Sequence, residues 1–215
     1  ERSVAAELSA KFASGDAELA IGYSYTTIFD AMARERVSIN GFDLLDELPV
    51  ARVINSELAT FHSVEVSGRW PIVDRLMAFG SIAYTQGEVK RPTIDRSETL
   101  VEPATKVPPA FGRFGVGYYS RPRRWHVEAL GRFAFDQRRL SEADRSDTRI
   151  CPELHGTCQG TRGFLIGTIR GGYKLTEWMI VNVAVENVTN AVYRMHASAI
   201  NGPGINLVGT LEVQL

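Results

Sequence analysis

Long strands with one apolar and one polar face constrain this chain more than any other feature of its sequence. Between residues 181 and 215, two such stretches flank a polar loop. The first alternates valine at 181, 183 and 185 with other residues, and the second places its apolar residues on one face: Ile205, Leu207, Leu211, Val213 and Leu215. Successive side chains of a strand point to opposite faces. The apolar face therefore needs a packed partner in water, or lipid in an outer-membrane β-barrel.

The same alternation recurs along the chain and predicts about nine strands. We place them at 2–13, 17–29, 57–69, 76–89, 111–119, 125–139, 162–173, 179–187 and 204–215. Each is near or above the ~9–11 residues of a tilted membrane strand, and longer than the ~5–6 residues usual in soluble proteins. The alternative is a soluble sandwich, in which the same apolar face would line a core.

The connections between these strands alternate between short and long. The long ones are 30–56, 90–110, 140–161 and 188–203. Strict short–long alternation is typical of outer-membrane barrels, which have tight periplasmic turns and large external loops. All three tryptophans, Trp70, Trp125 and Trp178, fall beside short turns. Further aromatic residues near the long loops suggest a second belt at the other membrane interface, although aromatics are common at strand ends in general. They are Tyr25, Phe29, Tyr84, Phe111, Phe135 and Phe164.

The polar face of the predicted strands carries many charges, and we expect them to line a wet interior. The strand at 76–89 is ambiguous and its faces cannot be assigned. The predicted interior charges are Glu7, Lys11, Glu18, Glu65, Arg69, Arg113, Glu128, Arg132, Asp136, Arg138, Arg170 and Glu212.

Length and composition allow a single domain of this kind. The chain has 215 residues, 44% hydrophobic content and a formal net charge of −1, which gives no indication of a nucleic-acid partner. No apolar run approaches the ~20 residues of a membrane helix. The chain opens at Glu1, already in a strand-like pattern, without a signal-peptide pattern. We therefore expect a processed product or a piece of a longer polypeptide.

Cys151 and Cys158 are the only cysteines, and six residues separate them within a long polar loop. A local disulfide is the favoured interpretation for such a pair in an envelope-exposed loop. The alternative is a metal pair with His155, although metal sites favour tighter spacing and more ligands.

Three carboxylates, Glu142, Asp144 and Asp147, lie in the same loop. Calcium takes 6–8 oxygen ligands and could use them, but a solvated loop with Arg145 and Arg149 as counter-ions is favoured. The four histidines form no ligand cluster, and no nucleophile, phosphate-loop or paired-carboxylate motif is present. The sequence predicts no catalytic residue, no metal and no cofactor.

The last loop contains Glu186, Asn187, Val188, Thr189, Asn190, Tyr193, Pro203 and Gly204, and the strand after it ends at Leu215. With these motif residues the last loop and strand resemble the C-terminal end of TonB-dependent outer-membrane receptors. Looser matches lie at 56–68, 81–87, 108–113 and 141–150, in the family's order. Two positions depart from the pattern: Ile205 stands where the family usually has Arg, and Leu215 where it usually has Phe.

The resemblance implies an all-β fold, an antiparallel transmembrane β-barrel in the bacterial outer membrane. Residues 1–215 would form about nine C-terminal strands of a larger barrel of about 22 strands. It implies energised uptake of a scarce, bulky solute such as a ferric siderophore, haem or a vitamin. The implied partners are outer-membrane lipid, the remaining barrel strands and plug, and TonB if a plug is present. The alternative is a structural scaffold, in which a truncated or split barrel belongs to a larger envelope assembly.

An odd number of antiparallel strands cannot close on itself, because the first and ninth strands run in the same direction. Open edges at membrane depth would leave backbone groups unpaired, each at a cost of several kcal/mol. We therefore expect further strands, either before Glu1 in the same polypeptide or from another chain.

Overall fold

A computed structural model describes residues 1–36, 44–45, 48–49, 51–92, 99–122, 124–152 and 158–214. These residues form twelve strands and one short helix, α1, at Glu142–Arg145. The strands are β1 Arg2–Ser14, β2 Ala17–Arg36, β3 Leu44–Leu45, β4 Leu48–Pro49, β5 Ala51–Val73, β6 Leu76–Pro92, β7 Thr99–Pro103, β8 Phe111–Tyr119, β9 Trp125–Ala134, β10 Phe164–Thr176, β11 Met179–Glu186 and β12 Asn206–Val213.

Nine long strands follow one another through a single antiparallel sheet in the order β1-β2-β5-β6-β8-β9-β10-β11-β12. The short strand β7 adds to β6, and β3 and β4 form a separate hairpin. The predicted all-β fold and its nine-strand meander are confirmed. The sheet is open, with β1 and β12 at its two edges.

Strand ends differ from the predicted ones where the long loops begin. Pairing of β2 with β5 continues through a bulge near Ala31 as far as Arg36 and Ala51, within the stretch predicted to be a loop. By contrast, β9 ends at Ala134 instead of reaching 139. Beyond Ala134 only isolated contacts keep the register: the Phe135 amide donates to the Ala110 carbonyl, 2.9 Å away, and Gln137 pairs with Thr161.

The predicted alternation of connections is confirmed. Two-residue or similarly short turns join β1 to β2, β5 to β6, β8 to β9 and β10 to β11 at one end of the sheet. The four long connections lie at the opposite end, which we call the loop end.

Cross-strand register defines two faces of the sheet. Ala129 lies opposite Val116 on one side and Ile169 on the other, on the face that we call the outer face. Its sequence neighbour Glu128 lies on the opposite, inner face, together with Arg170. Exposed side chains are typical of the outer face; Leu8 is 74% exposed and Leu207 is 71% exposed.

The same register resolves β6, whose faces the sequence left ambiguous. Ile82 pairs with Val66 and belongs to the outer face, whereas Phe79 pairs with Arg69 and belongs to the inner face. Phe79 fits on the inner face because it covers Gly115 of β8, where a Cβ atom would lie only 2.9 Å from the Phe79 ring. Because the Phe79 ring covers a glycine, β6 has a large apolar side chain on its inner face as well as on its outer face. This is why the sequence pattern did not distinguish the two faces.

The hydrophobic cluster of the described residues does not lie on the sheet. It consists of Leu140, Ile150 and Cys151, which belong to the β9–β10 connection at the loop end. The sheet instead leaves its outer apolar side chains uncovered, as a lipid-facing surface requires. No helix in the described part of the chain has the length and hydropathy needed to cross a membrane.

Aromatic side chains form a belt on the outer face beside the short turns. Trp70, Trp125 and Trp178 are 66%, 41% and 50% exposed, and the Tyr118 ring lies 5.4 Å from that of Trp125. At the loop end Tyr25, Tyr84 and Phe135 are also exposed. Two residues expected in this second belt lie elsewhere: Phe111 and Phe164 are partners of Ala134 on the inner face.

Candidate functional site

Asn187 organises the connection between β11 and β12, where the family resemblance is strongest. Its side chain is 1% exposed, and its amide nitrogen donates to the carbonyls of Ala191 and Pro203, both at 2.9 Å. Its side-chain oxygen accepts from the Ala191 amide at 2.9 Å. Asn187 has a φ of +49°, a conformation that Asn tolerates better than most residues. One side chain thus ties the start of this loop to its end.

Tyr193 carries the same loop over the inner face of the sheet. It is 7% exposed, and its ring centroid lies 4.8 Å from that of Phe164 on β10. Its hydroxyl accepts a hydrogen bond from Arg132 on β9 at 3.0 Å. A Cβ atom at Gly202 would overlap the Tyr193 ring, so glycine permits the chain to pass against this ring.

The remaining motif residues support the two ends of the loop, at the end of β11 and just before β12. Glu186 accepts a hydrogen bond from the Asn206 side chain at 3.0 Å, which pairs the neighbouring ends of β11 and β12. Pro203 contributes the carbonyl bound by Asn187, and Gly204 lies beside the side-chain oxygen of Asn190. Leu215 lies outside the described residues. A functional role of these residues, beyond shaping the loop, remains a prediction.

The β9–β10 connection folds into a small external unit around its cysteines. Cys151 and Cys158 are joined in a disulfide, with their Cα atoms 5.3 Å apart. Cys151 packs with Leu140 and Ile150, all at most 5% exposed, and Cys158 lies against this cluster. The unit is therefore packed around its own apolar residues at the loop end.

The carboxylates of this unit are used internally. Ser141 and Asp144 form a reciprocal capping box at the start of α1, and Asp144 also accepts from the Lys106 amide at 3.0 Å. Asp147 accepts from the Arg149 guanidinium at 2.9 Å, which holds the pKa of Asp147 well below its usual range. His155 lies outside the described residues. No group of three potential metal ligands occurs in the part of the chain that the structure describes.

His196 connects the two external loops. Its Nδ1 lies 2.9 Å from the Thr161 hydroxyl of the β9–β10 connection, and the adjacent Ala197 packs against the Leu140 cluster. Its Nε2 is buried without a hydrogen-bond partner among the described residues. Burial lowers the pKa of His196, and the charges of Asp144 and Asp147 oppose part of that shift.

A charged groove of about 590 Å³ runs along the inner face near the short turns. At its wall Glu128, which is 6% exposed, accepts hydrogen bonds from the Tyr119 hydroxyl and from Arg170 Nε, both at 2.6 Å. Nearby, Arg69 pairs with Glu18 at 2.8 Å. A buried carboxylate with two strong donors is a satisfied ion pair, and it confirms that this face of the sheet is polar.

Sequence reasoning placed most of the charges correctly but missed their partners. Asp136 and Arg138 were expected inside, yet they lie beyond the end of β9 and pair with each other at 2.7 Å. The polar and apolar residues continue to alternate beyond the end of β9, so the sequence pattern did not indicate where the strand ends. The Tyr119–Glu128 hydrogen bond joins residues nine apart in sequence, on the two strands that flank a short turn. The shortness of that turn was the only feature of the sequence that indicated their proximity.

Comparison with known proteins identifies the architecture. No family model and no curated protein sequence matches the chain. Among solved structures it is similar to the copper transporter OprC (TM-score 0.72, 15% identity, covering 98% of this chain and 31% of that one). It is also similar to the FrpB iron transporter from Neisseria meningitidis (0.69, 15%, 95% and 29%), and to the siderophore receptor PirA from Acinetobacter baumannii (0.65, 15%, 98% and 31%).

The chain spans about 30% of the length of these structures, and each similarity covers at least 95% of this chain. Their number and variety confirm, at the level of fold, the resemblance found in the sequence. The architecture is consistent with a place in the bacterial outer membrane. The chain therefore has the fold of part of the β-barrel of a TonB-dependent outer-membrane receptor.

Proposed function

We propose that residues 1–215 are the C-terminal part of a receptor barrel that takes up a scarce, bulky solute across the outer membrane. The observation that carries this proposal is the facing of the sheet. One face exposes aliphatic and aromatic side chains to lipid, and the other carries satisfied ion pairs beside a groove. Such a sheet suits a wet lumen inside a bilayer and has no use as a soluble core.

The whole receptor would contain the remaining strands and a plug, on which periplasmic TonB acts. Both edges of the sheet support this, because β1 and β12 end it without pairing to each other. At membrane depth an unpaired edge is costly, so further strands complete the barrel.

The external loops and the structural neighbours support the proposed class of solute. The neighbours are named for transport of copper and iron and for reception of siderophores. In this chain the β11–β12 loop leans over the inner face through Tyr193, and the disulfide unit lies beside it. A ferric siderophore, haem or a vitamin is a solute of the size that such a mouth would admit.

The test is outer-membrane residence together with energised uptake. Cells that express the full-length protein should carry it in the outer-membrane fraction, extractable only with detergent. They should accumulate a supplied ferric siderophore, haem or vitamin faster than cells without it, and a protonophore should abolish the difference. Recovery as a soluble monomer would overturn the proposal. Residence in the outer membrane with no uptake of any of the three solute types would favour the scaffold instead.

A further inference from the structure

Two arginines face each other on the inner side of the sheet near its loop end. Arg113 of β8 and Arg132 of β9 are direct cross-strand partners. Side chains at such positions start only ~4.5–5.5 Å apart at Cβ, and like charges there destabilise the pair of strands. A sheet keeps such a pair at a cost unless something negative lies between them.

No carboxylate of the described residues fills that role. Arg113 has no hydrogen bond or ion pair in the described part of the chain, and Arg132 bonds only the Tyr193 hydroxyl. Glu65 lies opposite Ala83, which lies opposite Phe111, so it is two strands and a diagonal step from Arg113. Glu186 is equally far from Arg132, because it lies opposite Thr168, which lies opposite Leu130, and it accepts a hydrogen bond from Asn206 instead.

The other inner-face arginines provide the contrast. Arg69 has Glu18 as its cross-strand partner, and Arg170 has Glu128. Both pairs make direct contacts, at 2.8 Å and 2.6 Å. Arg69 and Arg170, towards the short turns, thus have a cross-strand counter-ion, whereas Arg113 and Arg132, nearer the loop end where a solute would enter, have none.

Arg132 is held in place although it remains exposed. The Tyr193 hydroxyl accepts from its guanidinium at 3.0 Å, and the rings of Phe164 and Tyr193 lie 5.9 and 5.4 Å from its central carbon. These contacts restrict its rotamers before any ligand arrives. A restricted, exposed guanidinium presents its remaining donors at low entropic cost.

The charged groove near the short turns also has more positive than negative side chains in its lining. Its lining contains five arginines and three carboxylates, and Arg113 is among the five: Arg69, Arg75, Arg113, Arg121 and Arg170 against Asp16, Asp74 and Glu128. Arg69 pairs with Glu18, Arg75 and Arg121 pair with Asp74, and Arg170 pairs with Glu128, which leaves Arg113 without a carboxylate contact among the described residues.

We infer that Arg113 and Arg132 form a binding site for an oxyanion group, carboxylate or phosphate, of the solute that enters the barrel. This rests on the proposed uptake function and narrows its substrate to an anionic solute. Guanidinium groups bind such oxyanions through paired N–H donors. The Tyr193 hydroxyl and the Phe164 ring lie beside the Arg132 guanidinium and hold it in place.

Calorimetric titration of the intact receptor in detergent tests this site, with citrate as the anionic probe and sucrose as the neutral one. The wild type should bind citrate and not sucrose, and more weakly at high ionic strength. The double variant Arg113→Gln/Arg132→Gln should bind citrate at least about tenfold more weakly, since it removes both charge-assisted contacts. The matched control Arg138→Gln removes an exposed arginine beyond β9 and should change the affinity less than about twofold.

The charge-preserving variant Arg113→Lys/Arg132→Lys keeps the result interpretable if the glutamine variant fails to assemble. It should retain citrate binding at severalfold lower affinity, because lysine cannot form the paired contacts. Wild type that does not bind citrate would overturn the inference, as would a glutamine variant with wild-type affinity. If the wild type ignores citrate while the glutamine variant loses thermal stability, a protein carboxylate fills the site, and the inference fails. None of these results affects membrane residence or uptake, whose failure would instead overturn the proposed function.

Discussion

Side-chain facing at single residues is the most local consequence of the fold. Ala129 lies on the outer face between Val116 and Ile169, whereas the next residue, Leu130, lies opposite Gly115 on the inner face. In a sheet inserted in a membrane as part of a barrel, these neighbouring positions would face lipid and lumen respectively.

The substitution Ala129→Arg should destabilise the barrel by about 2–4 kcal/mol, because it places a charge against lipid at mid-depth. Leu130→Arg should be far milder, because its guanidinium can reach the wet inner face. Urea unfolding of the refolded protein in lipid vesicles measures both. Equal losses for the two variants would contradict a polar interior.

His196 predicts a pH dependence of the loop contact. Its pKa in the folded state lies below that of the unfolded chain because its ring is buried. The neutral ring therefore contributes its full stability above the unfolded pKa of ~6.5. As the pH falls from there through the lowered folded pKa, the unfolded loop takes up the proton first and the contribution is lost.

Trypsin cleavage after Arg194, close to this ring, reports the loop contact. Between pH 7.5 and 5.5, cleavage corrected for the enzyme's own pH profile should accelerate in the wild type. The variant His196→Gln, which cannot titrate, should show a flat profile. A flat wild-type profile would show that protonation of His196 does not control this loop contact.

At the scale of elements, the disulfide unit predicts a defined redox state. Cys151 and Cys158 close a short loop, for which chain entropy gives about 2–3 kcal/mol of stabilisation at most. As isolated, neither cysteine should react with an alkylating agent until a reductant is added. Alkylation of both without reduction would contradict the bond. The variant Cys151→Ser/Cys158→Ser should assemble in the membrane, because the bond lies outside the sheet.

The elements that could be predicted from sequence are those with a clean two-face pattern. Strands such as β8 and β11 agree within a residue of their predicted bounds, because alternation, length and turns coincide there. The faces of β6 could not be predicted, since Phe79 fills the space above Gly115 on the next strand but one in sequence. The contacts of Tyr193 and His196 could not be predicted either, because these contacts join loops whose shape depends on Asn187 and on the Leu140 cluster.

At the scale of the whole molecule, the two faces of the described sheet suit a membrane but its two edges are left open. Its outer face is apolar, exposed and rimmed with tryptophan, and its inner face is charged. These features suit a bilayer, yet the edges β1 and β12 do not pair with each other. We therefore expect other strands to pair with both edges, β1 and β12, in the membrane.

Amide hydrogen exchange of the full-length protein in its outer-membrane form tests that expectation most directly. In β1 and β12 alternate amides point away from their neighbours β2 and β11, towards the open edges of the sheet. The account predicts that these edge amides exchange as slowly as the amides bonded within the sheet, with their partners on strands outside residues 2–213. Rapid exchange along either edge would contradict it, and so would protection that arises from pairing of β1 with β12 in a closed barrel of these strands alone.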